Sequence, residues 1–95
     1  MKTMTSFQKK VKPKIRILQA SKHFKVILVT LQPGATLERH KAQERAKIFV
    51  VKGTIEYRSL RQIKQIHHLE EYNIPTDEMH QIIAINVAEF LLITG

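Results

Sequence analysis

Ninety-five residues make a single domain with no room for a separate catalytic module, and the thin core of so short a chain is helped by a second subunit. With no cysteine there are no disulfides, iron–sulfur clusters or thiol chemistry, and with neither an ~18-residue apolar run nor a secretory leader the expectation is a cytoplasmic protein without a membrane partner. The net charge of +8 suggests nucleic acid at first sight, but six of the sixteen basic residues stand in the first sixteen positions with no acid among them, and the rest of the chain is nearly balanced.

Residues 1–13 therefore read as a basic, flexible N-terminal arm, and residues 14–95 as the folded domain. The arm has one aromatic, Phe7, and no repeat character, so solvation rather than nucleic-acid binding is its expected role. From Ile15 onward apolar and polar residues alternate with period two and β-branched residues are frequent, while no window carries a helical stripe. The pattern predicts strands over 15–19, 24–32, 36–40, 46–51, 54–59, 62–67, 71–74, 80–86 and 88–94. Pro33-Gly34 suits the centre of a type II turn, since proline presets one φ and glycine accepts the positive φ that follows. Lys52-Gly53 reads as a hairpin turn. Short strands without a covering helix must bury their apolar sides against another sheet, which predicts an all-β, double-sheet jelly roll. Alternation then puts Ala46, Ile48 and Val50 inside and Phe49 and Val51 outside. That outer stripe asks for cover, by another sheet edge, an N-terminal strand or a second subunit, and a homodimer is the expected answer.

Gly34, His40, Ala42, Ala46 and Gly53 keep the spacing of the first motif of the cupin superfamily, which runs glycine, five residues, His-x-His, three or four residues, glutamate, six residues, glycine. Leu69, Pro75, Asp77, His80 and Ala84 keep the spacing of the second, in which Pro75 and His80 match while Leu69, Asp77 and Ala84 stand in place of glycine, glycine and asparagine. The chain thus resembles a small cupin, and the resemblance implies a double-stranded β-helix barrel. In a member with every ligand, three imidazoles and a carboxylate would hold a divalent first-row metal. Here alanine occupies two ligand positions, so the resemblance implies a degenerate site built on His40 and His80.

Two imidazoles alone hold a metal weakly, and the expected cofactor is none or a loosely bound transition ion, unless Glu38 or Glu44 supplies a third donor. The alanines also leave free volume, which side chains from other strands fill or which forms a small-molecule pocket at His40, His80, Ala42 and Ala46, walled by Ile48, Val50 and Ile82. His67-His68 and His23 read as solvent-facing, as do Glu70-Glu71 and Asp77-Glu78 in turn-like settings. No nucleophile triad or phosphate-cradling loop stands out, so no catalytic residue is assigned and the enzyme question stays open. Three readings follow: a stand-alone cupin binding a small molecule, without efficient metalloenzyme activity; a metal-dependent oxygenase, isomerase or decarboxylase using His40, His80 and an extra carboxylate; or a regulatory or structural interaction module.

Overall fold

The computed structural model describes residues 11–41 and 44–95, with the backbone alone for residues 38–41. It contains nine strands: β1 (Lys14–Ala20), β2 (Lys25–Leu31), β3 (Thr36–Lys41), β4 (Ala46–Lys52), β5 (Thr54–Ser59), β6 (Ile63–His67), β7 (Glu71–Ile74), β8 (Met79–Ala84) and β9 (Ala88–Thr94). They build two antiparallel sheets, ordered β1-β2-β9-β4-β7 and β3-β8-β5-β6. Each of the expected strands is present, displaced by no more than two residues at either end. No helix of the described residues is long and apolar enough to cross a membrane.

Alternation decides what fills the space between the sheets. Val29, Leu31, Ile48, Val50 and Phe90 from the first sheet meet Ile55, Tyr57, Ile66 and Ile82 from the second, all of them essentially inaccessible to water. Full burial of one such aliphatic or aromatic side chain contributes roughly 1.5–3 kcal/mol relative to leaving it exposed. Ala46, Ile48 and Val50 face inward as expected, and Phe49 and Val51 face out, half-buried and exposed respectively.

Turns fix the path between the sheets. At Pro33-Gly34 the Ala35 N–H donates to the Gln32 carbonyl at 2.9 Å and Gly34 has φ 79°, as the type II turn requires. Lys52-Gly53 behaves differently from the hairpin expected of it. β4 and β5 belong to different sheets and do not pair, so the turn is a corner at which the chain changes sheet. Its glycine is demanded by crowding as well as by φ 77°, because a Cβ there would lie 2.2 Å from the Val87 carbonyl oxygen. A local turn signal marks a reversal and does not say whether the two strands will share a sheet.

Among the described residues, two that are not glycine have positive φ: Leu69 at 68° and Asp77 at 61°. These are the two positions at which the second motif carries glycine. The backbone keeps the left-handed conformation even though the residue that adopts it most easily has been replaced.

β1 lies at the edge of the five-stranded sheet, and the opposite sheet has one strand fewer. Every residue of β1 is exposed, with Ile15 and Ile17 each more than half accessible. The outer surface of the same sheet carries an apolar row, because Leu28, Leu91 and Phe49 stand opposite one another across β2, β9 and β4.

Candidate functional site

At one end of the barrel the β5–β6 and β7–β8 turns approach each other, and a polar cluster forms between them. Tyr57 projects inward from β5 and is fully buried, so its hydroxyl must find a partner. It donates to Glu78 Oε1 at 2.7 Å. Ser59, two residues on and on the same face, donates to Glu78 Oε2 at 3.0 Å. The Ser59 oxygen also accepts the backbone N–H groups of Arg61 and Gln62, which holds the β5–β6 turn in register. Pro75 and the left-handed Asp77 end β7 and turn the chain back, and this brings Glu78 to the mouth.

The expectation that Glu78 is simply solvated is therefore corrected: it is half-buried and held by two hydroxyls. Asp77, Glu70 and Glu71 are exposed, as are His23, His67 and His68. The same geometry raises the Tyr57 hydroxyl well above its usual ionisation range, first through burial and then through its bond to the Glu78 carboxylate. Tyr72, inward on β7, is raised by burial and by the negative charge of Glu78. Its ring centre lies 4.8 Å from that of Tyr57, and its hydroxyl accepts a hydrogen bond from Gln62.

His80 is buried on β8 and stacks on Tyr57 with ring centres 5.1 Å apart. Its Nδ1 lies 3.0 Å from the Glu78 carbonyl oxygen, which can only accept, so Nδ1 carries a proton. His40 stands opposite His80 in the β3–β8 register, so the two are cross-strand neighbours in one sheet. The β3–β8 register shifts between Leu37 and His40, and the side chains of Glu38 and His40 lie outside those described. Ala46 lies across the barrel on β4, opposite Ile74, and both are buried. Ile48, Val50 and Ile82 sit deeper, fully inside the core. Glu44 is exposed, and Ala42 lies outside the described residues.

The sequence reading passed over Tyr57, Ser59, Tyr72 and Glu78. A signal was present for the first: the alternation that places Ile55 inside also places Tyr57 inside, and a buried phenol needs an acceptor. No local pattern names Glu78 as that acceptor, since it arrives from 21 residues away.

No family model matches the chain, and no curated protein matches it. Solved structures do. A cupin superfamily protein from Desulfitobacterium hafniense superposes with a TM-score of 0.83 at 14% identity, over 90% of this chain and 79% of that one. An RmlC-like cupin from Methanocaldococcus jannaschii with a double-stranded β-helix fold gives 0.81 at 16% identity, over 88% and 80%. KdgF from Halomonas gives 0.77 at 17% identity, over 90% and 81%. Likeness at such identities establishes architecture, and together with the strand order and the turns at Gly34 and Gly53 it shows that this chain has the double-stranded β-helix fold of those cupin structures.

Proposed function

We propose that this protein binds a small molecule at the barrel mouth and is not an efficient metalloenzyme. The observation that carries the reading is the convergence of Tyr57, Ser59 and His80 on the half-buried Glu78 at one end of an otherwise apolar core. A few convergent polar groups against an apolar wall is the usual make-up of a small-molecule site.

The donor set supports the second half of the proposal. Ala46 stands buried at a ligand position without a lone pair. Among the described residues no three candidate ligands gather. The buried alanine at a ligand position is what supports the absence of a tightly held divalent ion.

The chain has two tyrosines and no tryptophan, so its intrinsic emission reports on Tyr57 and Tyr72, both in this cluster. Titration with a panel of sugars, amines and small carboxylates is expected to give a saturable change in tyrosine emission with at least one member. That member should also raise the melting temperature, because a ligand that binds only the folded state stabilises it. A flat response across the panel would overturn the binding reading. A stoichiometric transition metal surviving dialysis against chelator would overturn the other half, in favour of a metalloenzyme.

The partner surface is proposed as a second copy of this chain. Its support is the apolar row Leu28, Leu91 and Phe49 on the outer sheet face and the exposed Ile15 and Ile17 of β1. Joining two such faces would remove apolar surface from water at about 25 cal/mol per Å² before the cost of association.

A further inference from the structure

Resting on the barrel-mouth reading, we infer that the ligand presents a protonated amine to Glu78. The hydrogen-bond polarity of the cluster points that way. Tyr57 donates its hydroxyl proton to Glu78, Ser59 does the same, and His80 Nδ1–H is directed to the Glu78 carbonyl. The protons of Tyr57, Ser59 and His80 Nδ1 are thus directed at Glu78 itself. Each carboxylate oxygen has accepted one bond and retains capacity for another, so what the mouth offers an incoming molecule is acceptance.

Charge points the same way. The chain carries sixteen lysines and arginines, yet no described one pairs with Glu78: Lys47 is with Glu71 and Arg58 with Glu56. A half-buried carboxylate without a counter-cation among the described side chains is costly, and the two hydroxyls offset that cost without neutralising the charge. Aromatic faces complete the argument. Tyr57 is covered by His80 and Tyr72, but Tyr72 itself is only half-buried, and Tyr57, whose hydroxyl is bonded to the carboxylate, lies 4.8 Å from it ring to ring. Aromatic rings in the neighbourhood of a carboxylate suit an ammonium group, which gains from the ring quadrupole as well as from the opposite charge. An anionic ligand would meet like charge at this point, and a neutral hydroxyl would use the acceptors but leave the charge unpaired.

The test compares three probes of one size and different charge, n-butylamine, n-butanol and butyrate, by tyrosine emission at neutral pH. The amine is expected to saturate at millimolar concentration, as befits so few atoms. The alcohol and the acid are expected to bind at least about tenfold more weakly, this being the factor that one lost charge-assisted hydrogen bond accounts for. Amine binding to the unaltered chain should weaken as salt is added, whereas alcohol binding should not. Glu78→Gln should cost the amine about tenfold and abolish its preference over the alcohol. Should Glu78→Gln fail to give a folded circular dichroism spectrum, Glu78→Asp keeps the charge and should keep the preference for amine over alcohol, and the salt series on the native chain stands by itself. Equal or tighter binding of alcohol or butyrate would overturn the amine assignment and leave the small-molecule mouth standing. Silence from all three probes, with a response elsewhere in the wider panel, would also overturn it. Silence from both sets would overturn the mouth itself.

Discussion

Leu69 offers a test of the fold in which two substitutions are expected to reverse their ordinary order. It holds a left-handed φ of 68°, is 67% exposed, and donates its N–H to the Val50 carbonyl at 2.6 Å, so its backbone position is bound to the neighbouring strand whatever its side chain. An L-residue in this region carries about 1–2 kcal/mol of strain, which glycine escapes. Glycine loses roughly 0.5–1 kcal/mol more conformational freedom than alanine on folding. Removing a side chain one-third buried costs about 0.6 kcal/mol, taking ~2 kcal/mol for full burial of leucine.

Leu69→Ala keeps the strain and loses the side chain, so it should destabilise by about 0.6 kcal/mol. Leu69→Gly loses the same side chain but relieves the strain, and should be more stable than the alanine variant by about 0.7 kcal/mol. For a domain of this size that difference is roughly 3–6 °C in melting temperature. Paired thermal and urea unfolding curves of the two variants decide it. At an ordinary exposed strand position glycine would be the worse of the two, so an alanine variant as stable as the glycine variant would refute both the left-handed assignment and the alignment of Leu69 with the motif's first glycine.

Raised folded-state values for Tyr57 and Tyr72 mean that the native state binds more protons than the unfolded chain at high pH, so stability is fully present below the ordinary tyrosine value near 10 and falls as pH climbs past it. Near-ultraviolet phenolate absorbance should show far less than half-ionisation at that pH in the folded protein, with both tyrosines titrating on alkaline unfolding; ordinary titration of either would contradict the buried cluster. Ala42→His combined with Ala46→Glu restores the four-donor motif and should raise zinc affinity by orders of magnitude in a calorimetric titration, whereas no gain would mean that the β3–β4 segment does not present those positions to a common point. Phe49→Glu places a charge in the apolar row beside Leu91 and should convert a dimer to a monomer of lower stability by light scattering; a mass of 11.1 kDa for the unaltered chain at micromolar concentration would oppose the dimer.

The strands were legible because their cause is local. Thr54 to Ser59 alternates Ile55 and Tyr57 with Glu56 and Arg58, as a sheet with one face buried requires, while Val26 to Leu31, Ala46 to Val51 and Ala88 to Thr94 are short apolar runs rich in β-branched and aromatic residues and bounded by turns, so the existence and extent of strands can be read locally. What was not legible depends on where the chain goes next. The Lys52-Gly53 turn looks the same in sequence whether its strands pair or part, and it was the barrel's closure that parted them. The shift in register between Leu37 and His40 leaves no mark in composition.

The misreading of Glu78 is the most instructive of these, because two individually reasonable inferences met in it. Adjacent acids in a turn are normally solvated, and Asp77 is. But Asp77 takes the left-handed conformation at a glycine position of the motif, and the chain direction it sets brings the next side chain to the mouth, where the buried Tyr57 hydroxyl needs an acceptor. A motif read only for its ligands would treat the exchange of glycine for aspartate as one more mark of decay. Read as backbone geometry, the exchange preserves the turn, and the turn positions the carboxylate. The frame of the motif and the polar cluster at the barrel mouth are therefore linked through one dihedral angle, and this is why the fold can persist while the chemistry at its open end changes.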